Sequence, residues 1–207
     1  MLVALAQSFS PATLIPLHGS IQLANNFSRT LVYREFFQWK LIKNILISTM
    51  FGAVIGIYLF GTLPENLLVM VIAATILFLT WAPLDSLIFS VMKNDWFCGF
   101  ISGFAGIFVG ANGPLVTAYL RTKNLSPEVL VANHGAIMIF QHGIKIILFA
   151  SFFNFMILDY FIFILILALT GYAGAILGRR LISKVPFKSF NIILKVFLTL
   201  LAFSLFF

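Results

Sequence analysis

The sequence predicts an all-α, polytopic membrane protein built by internal duplication, with one glycine-rich segment that breaks within the bilayer. Three observations predict it. Hydrophobic residues fill 61% of the 207 positions, charged residues only 9%, and mean hydropathy is +1.08. Residues 1–28, 44–64, 66–84, 96–120 and 160–178 contain no Asp, Glu, Lys or Arg. Related motifs also recur in the two halves in the same order. A helix needs about 20 mostly apolar residues to cross the hydrocarbon core, and several runs reach that length. Lipid offers backbone groups no partner, so helices are the expected spanning elements. The runs are continuously apolar rather than alternating, which argues against a β-barrel.

The duplication is read from paired stretches. SPATLIPLHGSIQLANNFSR at 10–29 aligns with SPEVLVANHGAIMIFQHGIK at 126–145 at a constant offset of 116. That offset pairs Ser10 with Ser126, Pro11 with Pro127, His18 with His134, Gly19 with Gly135 and Arg29 with Lys145. GAVIG at 52–56 pairs with GAILG at 174–178 at an offset of 122, as a six-residue difference between loops requires. The first repeat is residues 1–84, the linker 85–95 and the second repeat 96–207. Segments are expected at 11–33, 42–62 and 66–84, after a stub at 2–8. In the second repeat they are expected at 96–120, 127–153, 157–182 and 187–207. Ser126-Pro127-Glu128 has the order of a helix start: a capping hydroxyl, a proline at the first position, then an acid near the positive dipole end.

The segment WFCGFISGFAGIFVGANGPLVTAYL opens the second repeat. Gly99, Gly103, Gly106, Gly110 and Gly113 fall on one helical face, a surface that allows close helix packing in lipid. Asn112-Gly113-Pro114 then breaks the segment, because Asn and Gly tolerate left-handed geometry and Pro lacks a donor. Its twin would precede Met1, so the first repeat is expected to lack its opening element, supplied by an upstream start or a separate chain. Positive charge gathers after 11–33 in the first repeat (Arg29, Arg34, Lys40, Lys43). In the second it gathers before 127–153 (Arg121, Lys123) and after 157–182 (Arg179, Arg180, Lys184, Lys188). Equivalent loops thus carry opposite bias, which the positive-inside rule reads as inverted repeats, provided the glycine segment enters and returns.

Candidate binding residues follow from this pattern. Backbone exposed at the break (Gly110, Asn112, Gly113, Pro114) would offer donors to an anion. Gln141 and Lys145 lie at i+7 and i+11 from His134, within roughly 20° of it on a helix, and His18, Asn25 and Arg29 repeat the stripe. Ionisable residues in membrane segments usually line a pathway; a cation near a helix end can instead snorkel to the interface. The few acids lie near predicted ends, so the expected cargo is a small anion. His134 and His142 are about 12 Å apart in rise, too far to share a metal ion unaided. The lone Cys98 excludes an internal disulfide, and no nucleophile–base constellation points to an enzyme. Neither a metal nor another cofactor is expected. The net charge of +7 sits mostly in short loops, where it sets orientation rather than binding nucleic acid.

GFISGFAGIFVGANGP, YLRTKNLSPEVLVANHGAI and the lysine at 145 together resemble the sulfite exporter TauE/SafE family of permeases, as does SPATLIPLHGSIQLANNFSR with GAVIG downstream. The resemblance covers essentially the whole chain. It implies a duplicated helical permease of the cell (inner) membrane for sulfite, sulfonates or related anions. The family's glycine-proline motif corresponds to Gly110, Gly113 and Pro114, with Asn112 in a place usually held by glycine. The expected mechanism is alternating access; the rival is a truncated, non-transporting protein or the partner subunit of a split permease, and an anion channel is a third. GAVIG and GAILG would suit intramolecular contacts or a homodimer.

Overall fold

The computed structural model describes residues 7–81, 93–109 and 112–182, together with Leu5, Val196, Thr199 and Leu200. These residues form seven α-helices and no strand. The order is α1 (Pro11–Val32), α2 (Trp39–Thr62), α3 (Glu65–Trp81), α4 (Asp95–Val109), α5 (Gly113–Arg121), α6 (Pro127–Phe153) and α7 (Phe161–Ile182), with 3₁₀ turns at Arg34–Phe36 and Ile157–Tyr160. Most of the segment expected at 187–207, most of the 85–95 linker and most of the 2–8 stub lie outside the described residues.

Local chemistry places the ends. Pro127 opens α6 after Ser126, whose Oγ accepts from the Val129 amide at 3.4 Å, with Glu128 in the first turn. The helix ends at Asn154, which adopts φ 52°, a left-handed cap that Asn tolerates. Ser10 precedes α1 in the same way, but its hydroxyl makes no cap bond to the helix backbone. Among the described residues, two helices, α2 and α6, are long and apolar enough to cross a membrane, with mean hydropathies of 1.9 and 1.7. Met50, Phe51, Val54, Ile55, Tyr58 and Leu59 of α2 are exposed, a continuous apolar surface that suits lipid rather than water.

The tightest packing joins α2 to α4, and glycine makes it. A Cβ on Gly52 would strike the Phe100 carbonyl, and one on Gly103 the Thr49 carbonyl. One on Gly99 would strike Ser48 Oγ, while one on Gly56 would sit 3.2 Å from Ile107. The stripe is therefore a groove in which two backbones touch. Gly106 does something else: a Cβ there would lie 2.8 Å from Asn112 Nδ2, so its bareness lets the chain fold back.

The 25-residue run from Trp96 to Leu120 does not continue straight. Asp95, the first residue of α4, accepts from the Tyr119 hydroxyl at 3.0 Å and from Lys123 Nζ at 2.8 Å. Both ends of the run therefore meet. Cys98 of α4 shares a buried cluster with Val116, Tyr119 and Leu120 of α5. At 15 and 9 residues, α4 and α5 rise about 22 and 14 Å, each less than the ~30 Å hydrocarbon core. The broken segment is a hairpin that doubles back on itself.

The other main contact is between α1 and α6, which run antiparallel. Gly19 faces His142, Lys145 and Ile146, whereas Gly135 faces Asn26 and Thr30. The 116-residue offset exchanges these sets: Gly19 becomes Gly135, while His142 and Ile146 become Asn26 and Thr30.

Candidate functional site

Where the hairpin turns, short polar side chains from α2, α4 and α6 close a hydrogen-bond network. Asn112 Nδ2 donates to the Ser102 carbonyl at 3.0 Å and to Gln141 Oε1. Gln141 Nε2 donates to Ser102 Oγ at 2.8 Å and to Thr49 Oγ1 at 3.2 Å. Both hydroxyls donate to the Gly99 carbonyl at 3.2 Å. Every member is buried. The Ser102 carbonyl can only accept, so it fixes which way the Asn112 amide points, and the rest of the network follows. Asn112 Oδ1 is left buried without a hydrogen-bond partner among the described residues.

The backbone at the break departs from expectation in detail. Asn112 has φ −89° and ψ 0°, not left-handed, and its side chain does not cap α5. The amides of Leu115 and Val116 both bond to the Asn112 carbonyl, and Pro114 has none to give. Fewer donors are thus available than a helix start normally presents. His134 reaches the same place from α6, donating from Nε2 to the Gly113 carbonyl at 3.3 Å.

A second polar group lies along the α1–α6 contact. His18 and His142 stand edge to face with ring centroids 6.3 Å apart. Lys145, one turn from His142, is 1% exposed. A Cβ on Gly19 would sit 3.4 Å from Lys145 Cδ and 3.7 Å from His142 Nδ1, so glycine makes room for both. His18 Nδ1 and both ring nitrogens of His142 are buried without hydrogen-bond partners among the described residues. Leaving such a group unmade costs about 1–3 kcal/mol each, and sites that accept this cost call for a reason.

The structure thus brings Asn112, Gly113, His134 and Gln141 together at the break, and His18 and Lys145 together at the α1–α6 contact. It separates the others. Asn25 is half-buried, 3.7 Å from where a Cβ of Gly171 on α7 would lie. Arg29 is exposed in the last turn of α1, and Pro114 is exposed at the hairpin turn. Gly110 lies outside the described residues. Thr49 and Ser102 were not predictable as site residues, because a small hydroxyl within a glycine-lined groove has the pattern of packing. His142 is visible in the sequence only as an unsuitable metal partner for His134; its pairing with His18 needs the fold.

Two clefts lie apart from this centre. One, of about 690 Å³, is lined by Ser48, Phe51 and Trp96 among others, the other, of about 440 Å³, by Thr30, Arg34 and Trp39 among others. Neither is lined by any residue of the polar network.

A comparison with family models matches the sulfite exporter TauE/SafE family over residues 1–205. No curated protein and no solved structure matches the chain. An all-helical fold, apolar helices with lipid-suited faces and a match running almost end to end agree: the chain belongs to the sulfite exporter TauE/SafE family, whose members are membrane transporters rather than enzymes.

Proposed function

We propose that the protein is a multi-pass permease of the cell membrane that moves small anions, sulfite or sulfonates among them, by alternating access. The observation that carries this is the fully buried Lys145, one turn along α6 from Gln141 of the network at the hairpin turn. A buried cation in a membrane bundle is costly, and its usual use is a pathway. Lys145 would meet the anion's charge. His134 and the Gly113 amide would contact it at the break, with Asn112 and Gln141 holding that break in shape.

The arrangement of the halves supports a rocking mechanism. Antiparallel α1 and α6, whose contacts are exchanged by the repeat offset, are what inverted repeats require. A hairpin that returns to its starting side removes the obstacle to inversion. Repeats related in this way commonly alternate about a site between them.

The test is anion flux in proteoliposomes. A charge-assisted contact is worth about 1.5–3 kcal/mol, so Lys145→Met should lower transport efficiency about tenfold or more, with His134→Ala lowering it less. Unchanged flux in both variants would remove these residues from the mechanism.

A further inference from the structure

The His18–His142 pair has a property that anion binding alone does not use. Two imidazoles from different helices meet in a fully enclosed place, 4% and 0% exposed, with three ring nitrogens unpartnered among the described residues. A structural histidine would normally spend its ring nitrogens on carbonyls or hydroxyls, as His134 does at Gly113. Imidazole is also the side chain whose charge ordinarily changes near neutral pH.

Among the described residues, the charged and titratable surroundings are few. His18 comes from α1, and His142 and Lys145 from α6, with His134 two turns further along. In the neighbouring network, α2, α4 and the residue before α5 present neutral groups: Thr49, Ser102 and Asn112. Their charged residues (Lys40, Lys43, Asp95, Arg121) lie at helix ends, as does Glu65 at the start of α3. Arg29 is exposed at the end of α1. Arg179 and Arg180 lie in the last turn of α7.

We infer that His18 and His142 form a proton-loading pair that couples anion movement to a proton. This rests on the permease reading above and names its coupling ion. Protonating an imidazole beside a buried ammonium is unfavourable, because like charges oppose one another. An anion seated at Lys145 reverses the balance, so the proton and the anion each raise the other's affinity by the same factor. One proton binds an unpartnered ring nitrogen as one monoanion arrives, and both leave together. No net charge then crosses with the pair.

The decisive probe is methanesulfonate, a strong-acid anion that cannot carry a proton itself. In proteoliposomes holding the full chain at zero membrane potential, a gradient of about one pH unit should drive about tenfold accumulation at one proton per anion. Exchange of labelled for unlabelled methanesulfonate without a pH gradient gives the reference. If the parent exchanges the anion but a pH gradient drives no accumulation, proton coupling is wrong and the permease reading stands. If it neither exchanges nor accumulates anion under any gradient, both fall. His142→Gln and His142→Asn should lose the pH-driven accumulation and retain exchange. Accumulation unchanged in both variants, or exchange lost along with it in both, would overturn the assignment to this pair.

Discussion

The 116-residue offset pairs Arg29 with Lys145, and the sequence leaves each the same choice between lining a path and snorkelling to an interface. Packing separates them: Lys145 is enclosed by α1, while Arg29 ends its helix in the open. Asn112 likewise shows how a neighbour redirects a residue. Its type suggested a left-handed turn, yet its amide is recruited by the Ser102 carbonyl and Gln141 while its backbone stays right-handed. At the mouth of the hairpin, burial would raise the Asp95 carboxyl. The hydrogen bonds from Lys123 and Tyr119, with the Lys123 charge, outweigh it and hold the group below its ordinary value. A carboxyl depressed in the folded state stabilises above its unfolded value and loses that contribution as pH falls through the folded one. Lowering the pH below about 4 should therefore loosen the hairpin mouth, and Asp95→Asn should remove that pH dependence. The effect is modest, since a partly exposed ion pair is worth ~1 kcal/mol or less. Thermal unfolding in detergent at a series of pH values would measure it; an identical pH profile in parent and variant would show that the clasp contributes nothing.

For the elements, the contact between α2 and α4 is where glycine matters most. Gly103→Val would drive a side chain into the Thr49 carbonyl, and backbone cannot move aside cheaply. Overpacking typically costs about 1–3 kcal/mol, so the variant should melt at a lower temperature and lose the Gln141–Thr49 register. Gly143 provides the contrast, since a Cβ there meets nothing within 4 Å. Gly143→Ala should match or exceed the parent's stability, by about 0.5–1 kcal/mol, because Ala loses less entropy in a helix. Equal melting of both variants would mean that the groove tolerates bulk. The glycine spacing made this groove legible in the sequence as a packing surface. What it packed against was not, because a stripe of small residues fits any close partner.

At the scale of the whole molecule, the proposed inversion makes a simple prediction about sidedness. Because α1 and α6 run antiparallel, the connection after α1 should lie on the same side as the start of α6. Phe36 and Gln38 already bond to Asn133 of α6, the Gln38 amide donating to its side chain at 3.0 Å. Single cysteines at Glu35 and Glu128, in a Cys98→Ser background, should therefore be labelled by an impermeant thiol reagent from one face of intact vesicles. One at Asp159 should be labelled from the other. Labelling of Glu35→Cys and Glu128→Cys from opposite faces would mean parallel repeats and end the rocking mechanism.

By itself the sequence determined the helical class, the bounds of α6, the packing role of the glycines and the position of the break. Each of these depends on local properties: apolar length, capping chemistry and the absence of a side chain. Only the tertiary structure decided that the glycine segment doubles back, that Thr49 and Ser102 complete the network, and that His142 meets His18. Those facts depend on which faces of distant helices share a contact, and that is fixed by close packing across the bundle rather than by any one segment. The repeat offset came nearest to carrying such information in one dimension, but direction of passage is lost when a sequence is compared only with itself.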